Sequence, residues 1–427
     1  LTAPAPRTGT AHAPRPGAED AARREAEAVA RRSYGKLVAL LAARSGDLAA
    51  AEDALADAFA AALAEWPRGR PANPEAWLLT VARRRLIDAA RRRRSGEAAL
   101  EHWQRLADGI DAADDAEAIP DRRLALMFAC AHPAIEAGIH APLMLQAVLG
   151  LDAKRIAGAF LTSPAAMGKR LGRAKEKIRQ AGIALRVPEP EELGARLDGV
   201  LAAIYAAFTD GWSDCGGHDA GRRGLGEEAL FLARLAAQLL PREPEALGLL
   251  ACLLHAHARR HARRDAGGAY VPLAAQDVSA WDAAMIGEAE ALLRRASAFR
   301  AIGRYQLEAA VQSAHAERRV RGVTNWSAVL QLYDALSALT GSPVVAVNRA
   351  LALAETQGVA AALAALPDPV VDPRLRDYQP YWATRAELLA RAGAAREAGS
   401  AYEIAIGLEN DEAVRRFLRG RQAALTD

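Results

Sequence analysis

"LDAKRIAGAFLTSPAAMGKRLGRAKEKIRQ", Leu151 to Gln180, decides how the rest of the chain is read. In its second half Met167, Leu171, Ala174 and Ile178 recur at spacings of three and four, which places them on one arc of an α-helix. Lys169, Arg170, Arg173 and Lys177 fall on the opposite arc, and Lys175 and Arg179 flank the apolar stripe. In the first half Ile156, Ala157 and Phe160 belong to a shorter helix, separated from the basic one by a Thr-Ser break. Ser163 takes the N-cap position and Pro164 the first helical position, where a missing N–H leaves no bond unmade. Small Ala157 at the crossing and Met167 as the buried contact of the second helix complete a helix-turn-helix pattern. Leu161 stands where such turns usually carry Gly.

Spacings of three and four continue along nearly all of the 427 residues, alternating β-branched runs are absent, and aromatic residues make up 5%. The fold class expected is therefore all-α. Helices are expected over 24–44, 47–66, 74–94, 121–131, 135–149, 152–161 and 164–181, with a further series from about 192 to 420. A chain of this length exceeds what one core supports, so several domains are expected. The net charge of +3 averages strongly basic blocks with acidic ones, so partners have to be judged locally. Cys130, Cys215 and Cys252 form no CxxC pair, which argues against a disulfide framework or a structural zinc site and fits a reducing cytoplasm. No run of about 18 apolar residues occurs, so no membrane span is expected.

Working outward, residues 1–23 are rich in Pro, Ala and Gly and read as a disordered tail. Residues 96–120, with Asp108, Asp111, Asp114, Asp115 and Glu117, read as an acidic linker. Pro188 and Pro190 set a boundary near residue 187. In "RRRLIDAARRRR" the arginines Arg83, Arg84, Arg85 and Arg91 surround a stripe of Leu78, Ala82, Leu86 and Ala89, a density suited to phosphate contacts. "LAAAEDALADAF" presents Glu52, Asp53 and Asp57 along one side and Leu48, Leu55 and Phe59 for the interior. Such an acidic face repels DNA and suits a basic protein partner. "PRGRPANP", between Trp66 and Trp77, is a stiff connection.

Taken in chain order, these segments resemble an extracytoplasmic-function (ECF) sigma factor of RNA polymerase. "AKRIAGAFLTSPAAMGKRLGRAKEKIR" is similar to sigma domain 4, and "YGKLVALLAARSGDLAAAEDALADAFAAALAEWP" with "NPEAWLLTVARRRLIDAARRRR" to sigma domain 2. The resemblance implies domain 2 over 24–95, a linker over 96–120 and domain 4 over 121–187. It implies that Glu52, Asp53 and Asp57 dock on the β′ subunit of core RNA polymerase, with β as the further partner. Arg68, Arg70, Asn73, Trp77, Arg83, Arg84, Arg85 and Arg91 would engage the promoter −10 element, Asn73 and its neighbours pocketing a flipped base while Arg68 and Arg70 hold the displaced strand. Ser163, Ala165, Ala166, Lys169, Arg170, Arg173 and Lys177 would meet the −35 element. Because Ala165, Ala166 and Gly168 offer base edges few hydrogen bonds, this helix grips promoter DNA more than it reads it. The linker would imitate RNA in polymerase channels. No enzymatic activity, cofactor or metal is implied, and the location is cytoplasmic.

Residues 188–427 are more than a minimal ECF factor needs. "RAELLARAGAAREAGSAYEIAIGL" sets Ala386, Leu389, Gly393, Ala398, Tyr402 and Ala405 at the spacing of a tetratricopeptide (TPR) helix pair, and Ala350 and Leu353 repeat the pattern about one repeat length upstream. The order of motifs is similar to one ECF group with a C-terminal TPR-like domain, which implies a regulatory extension with a concave surface for a protein or peptide ligand. Two departures from that group are Thr209-Asp210 in place of its Asn-Glu and "ACAHP" at Ala129 to Pro133 in place of its Cys-Cys-His-Pro. His257 and His261 have the helical spacing of metal-ligand pairs, with His255 nearby. Arg259, Arg260, Arg263 and Arg264 crowd them with positive charge, so no metal is expected. Gln276, Asp277, Trp281 and Asp282 are expected to fix a domain contact or line a ligand pocket. Two other readings fit parts of the chain: a helix-turn-helix regulator with a TPR sensor that acts without core polymerase, and a metal-dependent enzyme built on the histidines.

Overall fold

The computed structural model describes residues 18–93, 121–160, 162–213 and 224–425. Among these residues the fold is all-α, with no strand and one isolated antiparallel bridge between Arg264 and Tyr270. Among the described residues no helix is long and apolar enough to cross a membrane. The chain forms two compact units, Leu1–Ala206 and Ala207–Asp427.

The first unit opens with α1 (Ala18–Ser45), α2 (Leu48–Glu65) and α3 (Pro74–Arg93), which pack mutually. α1 begins at Ala18, inside the stretch that composition assigns to the tail, and buries Ala22, Ala26 and Val29 along its first half. Asp47 starts α2 by accepting the Ala50 N–H at 3.0 Å, and Asn73 starts α3 by accepting the Ala76 N–H at 3.1 Å. Each cap removes one orphan donor of a helix start. The expected acidic linker lies outside the described residues.

Four shorter helices follow: α4 (Arg123–Cys130), α5 (Ala137–Leu149), α6 (Ala153–Ala159) and α7 (Pro164–Gln180). Gly150 ends α5 in the left-handed region at φ 68°, its N–H returning to the Gln146 and Leu145 carbonyls. Asp152 caps α6 through the Arg155 N–H at 2.8 Å, and Ser163 caps α7 through the Ala166 N–H at 3.2 Å. Ile156, Ala157, Met167, Leu171, Ala174 and Ile178 are all buried, as the stripe in the sequence requires.

α1 packs on α4 and α5, and α2 packs on α7, so α1–α3 and α4–α7 share one core. The closest approach is at Gly35 in the middle of α1, where an added Cβ would lie 1.8 Å from the Val148 carbonyl oxygen. Only glycine lets the α1 backbone reach the last turn of α5.

α8 (Pro190–Ser213) opens at the Pro190 break and runs past Ala206, where the second unit begins. That unit continues with α9 (Leu225–Leu239), α10 (Pro244–Ala258), α11 (Ala283–Ser297), α12 (Arg304–Ala316) and the single turn α13 (Arg318–Arg321). It ends with α14 (Trp326–Thr340), α15 (Pro343–Thr356), α16 (Val359–Ala365), α17 (Gln379–Arg391), α18 (Ala395–Leu408) and α19 (Glu412–Ala423). Neighbouring helices pair as hairpins, α14 with α15, α15 with α16, and α17 with α18. Ala350 and Leu353 are buried in α15, and Ala386 is buried in α17. Arg264 forms an ion pair with Asp411, and Tyr270 meets Phe417 edge-on at 5.4 Å, which ties the turn after α10 to the last helix.

Candidate nucleic-acid interface

Helix α7 buries its apolar stripe on α6 and α5, which turns its basic arc outward. Lys169, Arg173 and Lys177 are exposed at successive i, i+4 steps and make a cationic ridge. Ala165 and Ala166 are exposed at the start of the same helix, while the Ser163 hydroxyl is engaged as its cap. Arg170 is half-buried and donates to Glu136 at 3.0 Å across the helix crossing. Arg179 is held by Glu176 within α7. The ridge can offset phosphate charge, and the alanines beside it present no donors to base edges.

In α3, Arg84 and Arg85 are exposed and Arg83 is half-buried; the Arg91 side chain lies outside what is described. Trp66 is buried and meets the half-buried Trp77 edge-on at 5.7 Å, so the two rings brace the ends of the loop between α2 and α3. Arg68 is exposed on that loop, and Arg70 reaches Glu25 of α1 at 2.9 Å. Asn73, exposed, spends its side-chain oxygen on the α3 cap. Glu75 anchors the start of α3 to α1: it accepts the Ser33 hydroxyl at 2.5 Å, with Lys36 at 3.6 Å.

The three acidic residues of α2 do not share one environment. Asp53 and Asp57 are exposed, whereas Glu52 is half-buried and paired with Lys175 of α7. Burial pushes the Glu52 carboxyl above its usual range, against the pull of Lys175. Its Oε1 atom is buried with no hydrogen-bond partner. Leaving such an oxygen unpaired costs on the order of 1–3 kcal/mol, so the ion pair is a weak source of stability.

Sequence reasoning missed Lys175, Glu136, Glu75 and Gly35 as positioning residues. Only Gly35 carried a local signal, because a glycine in a helix interior calls for a packing reason. The others depend on partners distant in sequence.

In the second unit His255 and His257 are core residues, whereas His261 is exposed. His255 is buried with its Nε2 3.3 Å from Glu290, which also accepts the Ser313 hydroxyl at 2.5 Å. His257 is buried against Phe208, ring centroids 6.4 Å apart. Asp282 caps α11 through the Ala284 and Met285 N–H groups at 3.0 Å each. Trp281 is buried with Arg318 at 5.2 Å and Arg259 at 5.8 Å from its ring. Gln276 donates to the Val271 carbonyl at 3.2 Å, and Asp277 caps the turn at Ser279.

A cavity of about 340 Å³ lies between α17 and α18, lined by Trp382, Arg385, Leu389, Arg396, Glu397 and Ile404 among others. Arg385 touches the Tyr381 hydroxyl at 3.4 Å. Among the described residues neither Arg385 nor Arg396 has a carboxylate within ion-pair distance.

Residues 29–96 match the sigma-70 region 2 family, which covers α1 from Val29, α2 and α3. Residues 196–297 match DUF6596, a family of unknown function. The chain is similar to the uncharacterized protein R00370 of Rhizobium meliloti (strain 1021), 39% identical over 380 residues that cover 86% of this chain and 88% of the relative. No solved structure matches.

Proposed function

We propose that this chain, which belongs to the same family as R00370 of Rhizobium meliloti and carries a sigma-70 region 2, is an initiation subunit of the ECF type. Sigma-70 region 2 means promoter recognition together with RNA polymerase, and it brings no chemistry of its own. The finer assignment has three parts. Exposed Asp53 and Asp57 of α2, with Glu52 when it is released, contact the β′ subunit, and α4–α7 reach the β subunit. Arg68, Arg70, Asn73, Trp77, Arg83, Arg84, Arg85 and Arg91 serve the −10 element. The Lys169, Arg173 and Lys177 ridge, with Ser163, Ala165, Ala166 and Arg170, serves the −35 element as a sigma domain 4.

The observation that carries this reading is the order of parts: a sigma-70 region 2 match over α1–α3, followed by α6 and α7 with a capped start and an exposed basic ridge. The test is transcription in vitro with bacterial core polymerase and purified full chain. Co-elution and promoter-dependent transcripts are expected. Duplex binding without either points to a helix-turn-helix regulator acting alone.

The second unit acts as a built-in TPR-like regulator. Its α15–α16 and α17–α18 hairpins place Ala350 and Ala386 at equivalent buried positions, which supports the repeat. The α17–α18 cavity, where Trp382, Leu389 and Ile404 lie beside two arginines that have no carboxylate in ion-pair range among the described residues, suits a peptide that offers a carboxylate beside an apolar side chain.

A further inference from the structure

Arg234, Arg264 and Arg349 of the second unit are half-buried, and each meets a carboxylate, Glu288, Asp411 and Asp334 respectively. Arg259, directly after α10, and Arg318, at the start of α13, are half-buried too. Among the described residues neither has a carboxylate within ion-pair distance. Both guanidinium groups lie by one ring, that of Trp281, at 5.8 and 5.2 Å from its centroid. Two like charges are held at one place by neutral groups alone.

Those neutral groups leave donors over. Arg259 donates to the Gln312 side-chain oxygen at 2.5 Å and to the His255 carbonyl at 3.4 Å. Arg318 donates to the Leu273 and Ala274 carbonyls at 3.0 Å and to the Gln276 carbonyl at 2.9 Å. A guanidinium carries five N–H groups, so among the described residues Arg259 keeps three and Arg318 two with no protein acceptor. Trp281 is 3% exposed, and its buried Nε1–H has no acceptor among them either. An indole N–H can only donate.

Neighbouring groups register the same imbalance. Burial, with Arg263 and Arg318 nearby, pushes the Arg259 guanidinium down to about 10. Burial, with Arg259 and Arg318 nearby, pushes His315 of α12 down to about 4. Positive charge gathers here without its counterpart. Two guanidinium forks and an indole N–H ask for more oxygens and more charge than one carboxylate brings, and a phosphoryl group supplies both.

We infer that Arg259, Arg318 and Trp281 form a binding site for a small phosphoryl oxyanion, either free phosphate or the phosphate of a small phosphorylated molecule. By accepting the unspent N–H groups of both arginines, the ligand fastens residues 276–282 to the end of α10 and to α13. The site needs neither polymerase nor promoter DNA, so it stands or falls apart from the initiation role.

Calorimetric titration of the full chain with inorganic phosphate and with glycerol 3-phosphate, at fixed ionic strength in chloride, tests the site. Saturable binding of at least one is expected. Tighter binding of the ester identifies the ligand as a phosphorylated small molecule, and binding of phosphate at least as tight as the ester identifies the free ion. Arg259→Gln should weaken binding at least about ten-fold, the loss of a charge-assisted contact. Trp281→Phe keeps a ring beside both arginines and removes the N–H, so it should weaken binding about five-fold and decides the matter if Arg259→Gln folds poorly. Arg295→Gln removes an exposed charge of the same unit, which solvent screens, and should bind within about two-fold of wild type. In hydrogen exchange read by mass spectrometry, the peptide over residues 276–282 should exchange at least about two-fold slower with ligand. No saturable binding of either probe overturns the inference. So does binding that Arg259→Gln and Trp281→Phe both leave intact, or that Arg295→Gln weakens as much as they do.

Discussion

A Cβ on Gly35 would stand 1.8 Å from the carbonyl oxygen of Val148, so the middle of α1 and the last turn of α5 touch backbone to backbone. Gly35→Ala is expected to destabilise the first unit by about 1–3 kcal/mol, as overpacking a tight contact does. Helix propensity pushes the other way, since alanine in a helix interior gains about 0.5–1 kcal/mol over glycine. Gly172 in α7 isolates that opposing effect, because nothing lies within 4 Å of where its Cβ would be. Gly172→Ala should therefore stabilise where Gly35→Ala destabilises. Urea unfolding of the full chain decides it, and equal signs for the two variants would remove the steric explanation.

Exposed cations that only offset phosphate charge weaken every duplex alike. Arg173→Ala should lower affinity for unrelated duplexes by similar factors and reduce the slope of log K against log salt by about 0.9. Arg170→Ala should lower affinity less, since its guanidinium is already engaged with Glu136 at 3.0 Å. Titrations between low and moderate salt measure both. A variant that changes which duplex is preferred would show that α7 reads bases through these side chains.

His315 sets a pH dependence in the second unit. Burial, with Arg259 and Arg318 nearby, pushes its pKa down to about 4. Its ring meets Trp326 edge-on at 5.6 Å. At pH 7 the imidazole is neutral in both folded and unfolded chains, and its contribution to stability is fully present. As the pH falls from about 6.5 towards 4 the unfolded chain takes up a proton that the folded chain refuses, so stability is lost across that window, on the order of a few kcal/mol. Unfolding followed by tryptophan fluorescence at pH 7 and pH 5 should show the loss. His315→Gln should flatten it, and an unchanged pH profile in that variant would assign the dependence elsewhere.

The α17–α18 cavity is tested with a labelled hexapeptide of alternating leucine and glutamate, its glutamine counterpart and its lysine counterpart. Fluorescence anisotropy should rank the glutamate peptide at least about ten-fold above the other two, the difference a charge-assisted hydrogen bond makes. Replacing both Arg385 and Arg396 by alanine should erase the ranking. Equal binding of all three peptides would reduce the cavity to an apolar crevice.

The helix bounds were legible where a cap residue marks them. Ser163 with Pro164 marks the start of α7 in the sequence, and the Ser163 side chain does cap it, whereas the caps at Asp47 and Gly150 emerged only from the structure. The start of α1 was not legible, because the alanines that it buries are too small to raise a pattern above an Ala-rich background. Glu52 shows the limit for the site. Its acidic character groups it with Asp53 and Asp57, but at about 100° per residue it sits well round the helix from both, and Lys175 meets it there from 123 positions away. Arg170 and Glu136 repeat the lesson. Periodicity finds a helix's faces, and only the fold says which polar side chain on a face is already taken.

Arg264 and Asp411 join positions 147 residues apart, beside the Tyr270 and Phe417 contact. During synthesis α10 and the turn after it leave the ribosome long before α19 exists. The helical hairpins between them can form one after another, each on its predecessor, but this last fastening waits for the end of the message. A chain cut short by premature termination before Asp411 would carry most of the hairpins and none of the fastening, and so would present proteases with an array open at both ends.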